Sequence, residues 1–218
     1  MLIRALLLPL TVLLCVQPAW AQDEDSDVLI INGCRLEPGS QCPKANLREQ
    51  DLSGLDLRRI NLSGADLTGA NLRHSNLDLA NLEQAQLHAA NLTRASLQQA
   101  NLRAADLSQS NLQAINAWGM FAQTANFNGA NLHGANLDFA RISAAKMQGV
   151  NLQAANLEMT YLNKADLANA NLSDAYMLEV KLGGANLANS NLTGTLTRFG
   201  SFQDANMQGC IACPKGWD

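Results

Sequence analysis

From Ala45 to Gly209 the chain is written in groups of five residues, 33 in succession and without one insertion or deletion. The middle residue of each group is Leu in 24 of 33 cases, the residue two before it is Ala in 20, and the residue just before it is Asn or Asp in 23. The last two positions vary and are mostly polar. A period of five fits neither the 3.6 of an amphipathic helix nor the 2 of a strand. It suits a chain that turns a corner once per quintet, with Leu and the small Ala pointing inward and three positions outward. Four such sides close a square coil of twenty residues.

Steps of twenty support this geometry. Leu52, Leu72, Leu92, Leu112, Leu132, Leu152, Leu172 and Leu192 form one column, and the residues before them run Asp51, Asn71, Asn91, Asn111, Asn131, Asn151, Asn171 and Asn191. Identical amides stacked one coil apart can hydrogen-bond to those above and below. The 165 repeat residues make 8.25 coils, a rod about 40 Å long at ~4.8 Å between stacked strands.

Ala130-Asn131-Leu132-His133-Gly134 and Ala185-Asn186-Leu187-Ala188-Asn189 match the pattern A-[DN]-L-x-x almost literally. In these quintets the sequence resembles the pentapeptide-repeat family, over about three quarters of its length. The resemblance implies an all-β, right-handed quadrilateral β-helix of about eight coils with short end caps. It also makes a DNA-mimicking, gyrase-binding role conceivable, because some members of the family bind gyrase through an acidic rod.

The first 21 residues read as a secretory signal. Arg4 supplies a short positive start, Ala5 to Val16 is an apolar run too short to span a bilayer comfortably, and Ala19-Trp20-Ala21 is a small-residue cleavage site. Cys15 follows Leu14 rather than the small residue a lipoprotein signal wants, and one arginine does not make a twin-arginine signal. The organisation is then signal 1–21, an acidic tail and N-cap 22–44, repeats 45–209 and a C-cap 210–218. The destination is the periplasm, with the thylakoid lumen or extracellular space as alternatives, and no stable membrane insertion is expected after signal removal.

Without its signal the chain carries 14 basic and 19 acidic side chains, and the quintets alone hold 11 and 13. That near balance argues against a nucleic-acid-binding surface and against an acidic decoy.

The ends of a rod expose core and unpaired backbone and must be capped. Cys34 and Cys42 precede the first coil, and Cys210 and Cys213 follow the last. The length of the rod excludes pairing between ends, so the expected disulfides are Cys34–Cys42 and Cys210–Cys213, formed in an oxidising compartment. Alternative readings of Cys210-Ile211-Ala212-Cys213 are a redox dithiol, hence an envelope thiol oxidoreductase, or half a zinc site. The first lacks its usual βαβ setting, and the second lacks two further ligands. Asp27 to Ile31 reads as an apolar plug for the first coil, and Trp217 as a cover for the last.

Chemistry along the rod is sparse. His74, His88 and His133 occupy outward positions, the coil geometry is expected to set no serine, cysteine or carboxylate beside them, and a convex rod offers no obvious cleft. The reading is non-enzymatic, with no catalytic residue, metal or cofactor.

On three of the four sides the last residue of each quintet is small or polar at every level. On the fourth the last residue of each quintet runs Arg59, Leu79, Gln99, Gly119, Phe139, Met159, Glu179, Phe199. The position before it adds Trp118 and Leu178, and around the corner the usual Asn becomes Phe121, Arg141, Tyr161 and Lys181. Trp118, Phe121, Phe139, Met159, Tyr161, Leu178 and Phe199 therefore form an apolar stripe, extended by Tyr176 and Leu196. Contiguous exposed apolar surface marks an interface, and aromatic residues and Met are enriched where partners dock. The stripe points to a protein partner or a homodimer. The competing arrangement buries it against itself or under residues 22–44. At its head, Ile115 with Ala117 and Met120 with Ala122 exchange volume between inward positions, which predicts an intact coil with a local bulge.

Overall fold

The computed structural model describes residues 28–215. The segment 1–21 read as a secretory signal, the acidic stretch 22–27 and Trp217, read as a cover for the last coil, lie outside this range. Every fifth residue from Gln41 to Asn191 bridges in parallel to the residue twenty later, so each coil stacks in register on the next. The stack is a four-sided solenoid.

The quintet Ala130–Gly134 shows why this sequence folds this way, because each of its five N–H groups has a named acceptor. The N–H of Ala130 closes a turn onto Phe127 O at 2.9 Å, Asn131 reaches back to Ser110 O at 3.0 Å, and Leu132 and Gly134 donate forward to Asn151 O and Gln153 O at 2.7 and 2.9 Å. The fifth, from His133, is taken by the Oδ1 of Asn131 at 3.2 Å. Asn or Asp recurs before the central residue because its side chain accepts the one donor that neither the turn nor the stack can satisfy. The same amides also form the expected ladder, with Asn151 Nδ2 donating to Asn131 Oδ1 at 3.1 Å and Asn171 Nδ2 to Asn151 Oδ1 at 3.3 Å.

The last residue of each quintet lies in the left-handed region, for example Gly134 at φ 64° and Ala154 at φ 55°. Positive φ at the third residue of a turn closed by an N–H to C=O bond is the type II turn. Each corner of the square is such a turn.

The central residues are buried from Leu47 to Leu192 and the Ala two before them from Ala65 to Ala185, with Phe127 and Phe202 taking Leu positions, while Thr197 and Met207 in the last coil are half-buried. Ile115 and Met120 are buried as expected, but there is no bulge beside them. Ala117 N and Gly119 N each reach the next coil at 2.8 Å, and Asn116 and Phe121 keep their bridges on both sides. Ile115 and Met120 fill the volume that Ala117 and Ala122 vacate, so the backbone need not move.

The N-terminal end is built differently from the plug read in the sequence. Strands β1 (Ile30–Ile31) and β2 (Cys34–Arg35) form an antiparallel hairpin. Asn32 and Gly33 at its tip both have positive φ, the type I′ turn that an Asn-Gly pair favours. Leu29 and Ile30 are exposed, and Cys34, Leu36 and Cys42 are buried against the first coil in their place. Cys42 stands one coil before Leu62 in a central position, and the ladder begins at Gln41, one quintet earlier than the repeat is legible. Both disulfides, Cys34–Cys42 and Cys210–Cys213, are formed.

Candidate functional site

The stripe lies along one edge of the rod, in three adjacent columns. The middle column carries Phe139, Met159 and Phe199 at left-handed turn positions, with φ between 49° and 59°. Trp118 and Leu178 stand on one flank, and Phe121 and Tyr161 on the other. Phe199 is 71% exposed, Phe139 and Tyr161 44%, and Trp118 38%. Phe121, Met159, Leu178 and Tyr176 are half-buried, while Leu196 is exposed.

Neither way of hiding the stripe is realised among the described residues. The segment 28–44 folds over the end of the rod instead, held to it by Gly39 N to Arg58 O at 2.8 Å and Asn32 Nδ2 to Asn46 O at 2.8 Å. Packing within the stripe joins Trp118 to Phe139, and large fractions of both rings stay in solvent.

Three arginines belong to the same surface. The guanidiniums of Arg103 and Arg141 lie over the ring of Phe121, at 4.9 and 5.3 Å from its centre, and Arg198 lies over Phe199 at 5.4 Å. Such cation–π contacts hold a charge over an apolar face without burying it. Together Gln99, Trp118, Phe121, Phe139, Arg141 and Tyr161 line a shallow open depression of about 240 Å³. Arg103, Gln99 and Asp138 are members of this surface that the apolar reading of the sequence passes over. Asp138, one coil above Trp118, has its Oδ1 covered and without a hydrogen-bond partner. Burial pushes its carboxyl above the ordinary value, against a smaller opposing effect of the Phe139 N–H.

Apart from Gln86 and the His88 N–H on another side, the backbone rule of the rod is broken along the stripe. Phe121, Arg141, Tyr161 and Lys181 replace the Asn whose Oδ1 serves the N–H two residues on. Among the described residues no acceptor stands in for it at Gln123, Ser143, Asn163 or Gly183. A missing hydrogen bond costs about 0.5–1.5 kcal/mol, so this edge gives up local stability to present large side chains. Departures of that kind concentrate at functional surfaces.

One expectation about chemistry needs correction. His88 and Ser108 are one coil apart in the same column, and the stack brings Nδ1 to within 2.9 Å of Oγ. The pair lacks what nucleophilic catalysis requires. The nearby carboxylate of Asp106 accepts from Ser108 N and Asn126 Nδ2 rather than orienting the imidazole, and His88 is exposed. His74 is exposed and His133 half-buried. Among the described residues no cluster of three or more His, Cys, Asp or Glu could hold a metal, and no helix is long and apolar enough to cross a membrane.

Comparison with known proteins decides the family. The model for pentapeptide repeats matches in eight copies, over residues 40–78, 80–116, 110–149 and 145–177. The chain belongs to the pentapeptide repeat family. This pentapeptide repeat protein is thus a right-handed quadrilateral β-helix, and the family match begins at the quintet of Cys42 where the ladder begins. Among curated proteins no sequence matches.

Similar solved structures include HetL, a pentapeptide repeat protein involved in heterocyst differentiation regulation from the cyanobacterium Nostoc sp. It is 28% identical over 79% of this chain and 83% of its own, with a TM-score of 0.41. QnrB1, a plasmid-mediated fluoroquinolone resistance protein, is 18% identical over 80% of this chain and 90% of its own, with a TM-score of 0.41. A pentapeptide repeat protein from the thylakoid lumen of Arabidopsis thaliana is 29% identical over 52% of this chain and 69% of its own, with a TM-score of 0.25. The fold assignment rests on the family match and the bridge ladder, not on these superpositions. The family is defined by its repeat and assigns no reaction.

Proposed function

We propose that this pentapeptide repeat protein is an exported, non-catalytic interaction module that docks a protein along the edge running from Trp118 to Phe199. One observation carries the reading: large apolar side chains are gathered on a single edge, exposed, at positions where the rod elsewhere places Asn, Gly or small polar residues. Arg103 and Arg141 rim that edge with polar forks, as the border of an interface does.

Export to the periplasm rests on the apolar run and cleavage pattern of residues 1–21. The rest of the reading is independent of it. Decoy binding of a DNA-handling enzyme draws no support from the near-equal charges of the coils.

Two measurements test the function separately. Fractionation of cells with mass determination of the purified chain reports cleavage after Ala21 and the compartment, and an unprocessed cytoplasmic chain removes the export half. Light scattering and pull-down with the stripe intact or carrying Phe139→Asp and Phe199→Asp test the docking half. Unchanged mass and unchanged capture together overturn it.

A further inference from the structure

The two disulfides are held in different ways. Cys34 and Cys42 are 3% and 6% exposed inside the N-terminal cap, and their bridge has a sequence separation of 8. Cys210 and Cys213 are half-buried at the other end, with a separation of 3. Cys210 takes the corner position one coil after Ser190, and its N–H closes a turn onto Met207 O at 3.0 Å. Ile211 is the last stacked residue: its N–H donates to Ser190 O and its carbonyl accepts from Leu192 N, both at 2.9 Å.

The rod stops there for a reason that lies in the residues. Pro214 falls on the fifth position of its quintet, where every quintet from Ala45 to Gly209 has positive φ, and a proline ring fixes φ at a negative value. Ala212, in the central position, is itself left-handed at φ 59° and turns the chain off the stack. Among the described residues no backbone hydrogen bond holds Ala212 or Cys213. One sulfur of this bridge is therefore fixed to the rod, and the other is carried on chain that only the bridge and its packing retain.

We propose that Cys210–Cys213 is a thiol-exchange site, opened by a dithiol reductant and closed by a disulfide oxidant, which releases and re-seats the cover over Leu192. The inference is independent of the docking reading. Exchange needs an accessible sulfur to attack and a good leaving thiolate. Cys213 supplies the first, on chain that lies off the stack. Ser190 helps to supply the second. Its Oγ is buried in the rod, 2.7 Å from Leu187 O and 3.4 Å from Cys210 Sγ. The single hydroxyl proton serves the carbonyl while the sulfur is bridged, and turns to the sulfur once that is anionic, because a charged acceptor makes the stronger bond. Ser110, in the same column, makes only the carbonyl contact, at 2.6 Å.

The exchange balances in two steps. A thiolate of the reductant bonds to Cys213 Sγ as the bond between Cys213 and Cys210 breaks, and Cys210 leaves as a thiolate. The second thiolate of the reductant then attacks its own sulfur in the mixed disulfide, which closes the reductant's disulfide and frees Cys213. Two electrons pass to the pair, and the two protons of the reductant's thiols end on Cys210 and Cys213. A disulfide oxidant reverses both steps. The short ring restrains the unfolded chain less than the ring at the N-terminal end does, so opening it costs the fold less. Among the described residues no helix stands behind the pair to acidify a thiol. The site accordingly serves the end of its own rod and not the turnover of other disulfides.

Timed alkylation of the purified, folded protein in dithiothreitol, followed by peptide mass mapping, tests the site. Cys210 and Cys213 should become labelled at least tenfold faster than Cys34 and Cys42, and glutathione disulfide should close the pair again without unfolding. Reduced glutathione, a monothiol, should be trapped on Cys213 and not on Cys210. Ser190→Ala should slow the opening at least threefold with an unchanged circular dichroism spectrum, since Ala already fills this column at Ala130 and Ala170. Hydrogen exchange of the Leu192 and Ile211 N–H groups should quicken in the reduced chain while Leu132 keeps its protection.

Equal labelling of all four cysteines, or no closure by glutathione disulfide, overturns the exchange site. Glutathione on Cys210, or an opening rate indifferent to Ser190→Ala, overturns the assignment of attacked sulfur and leaving thiolate. Unchanged exchange at Leu192 and Ile211 shows a bridge that covers nothing, and overturns the release.

Discussion

Trp118 meets Phe139 edge to face across one coil, with ring centres 6.1 Å apart and planes inclined at 62°. Aromatic pairs of this geometry add about 0.5–1.5 kcal/mol beyond the area they bury. Both rings nevertheless keep more than a third of their surface in solvent. The contact fixes the two rings relative to each other and leaves their outer faces available.

Replacing Phe139 and Phe199 together by Asp should leave the rod folded and end self-association or partner capture. Both side chains stand outside the core and every backbone bond of the ladder is independent of them. The checks are an unchanged far-ultraviolet circular dichroism spectrum beside a mass by light scattering that no longer rises with concentration.

Tyr161→Asn should make the protein more stable and worse at docking. The new Oδ1 would accept the Asn163 N–H, as Asn131 does for His133 at 3.2 Å. We expect a gain of about 1 kcal/mol in urea unfolding beside a weaker interaction. A loss of stability would mean that the tyrosine ring contributes more to the coil than the missing bond removes.

The corners predict a matched pair of opposite signs in one column. Gly134→Ala puts a side chain at φ 64° where a Cβ touches nothing, so only backbone strain is added. Ala154→Gly relieves the same strain at φ 55°. Left-handed backbone costs an ordinary residue about 1–2 kcal/mol, reduced by the chain entropy of glycine. The first variant should unfold at lower urea than wild type, the second at higher.

Acid should erase a penalty at Asp138. Burial raises its carboxyl above the ordinary 3.8, so the folded chain holds this proton more tightly than the unfolded chain. Its charged form therefore opposes folding at neutral pH, and the penalty fades as pH falls through the folded value and is gone below the unfolded one. Asp138→Asn should melt higher than wild type at pH 7 and equally near pH 3. Asp51, Asp56 and Asp66, held below the ordinary value by hydrogen bonds to Ser53, Arg58 and Thr68, lose their contribution in acid in both proteins, so the comparison cancels them.

Reduction of Cys34–Cys42 should loosen one end of the rod and spare its middle. A bridge over a separation of 8 residues restricts the unfolded chain by about 2.5 kcal/mol in the loop-entropy description, and each coil of a solenoid leans only on its neighbours. Hydrogen exchange should quicken from Ile30 to about Leu62 on reduction while the coils around Leu132 keep their protection. Uniform loss along the rod would show that the cap controls the whole stack.

Much of this protein follows from counting. A strict period of five turns residue number into a position on a column, so the four sides, the buried Leu and Ala, the pairing of cysteines within each end and the members of the stripe are all legible in the chain. Every coil repeats the one before it and leans only on its neighbours, so packing between distant coils does not intervene. The Asn32-Gly33 hairpin was legible too, from the turn preference of that pair, but lies hidden within a segment that reads as a plug.

Tertiary structure decided what depends on neighbours across a corner or between coils. Only the stacked geometry shows that the Asn side chain accepts the fifth N–H of each quintet, and hence that Phe121 and Tyr161 forgo that bond. Only it brings His88 to Ser108, lays Arg103 and Arg141 over one ring, covers Asp138 Oδ1 and leaves Leu29 and Ile30 in solvent. Sequence period determines which residues share a column, because the backbone sets that spacing. Contacts between columns are set by side-chain direction and turn geometry, which no period encodes.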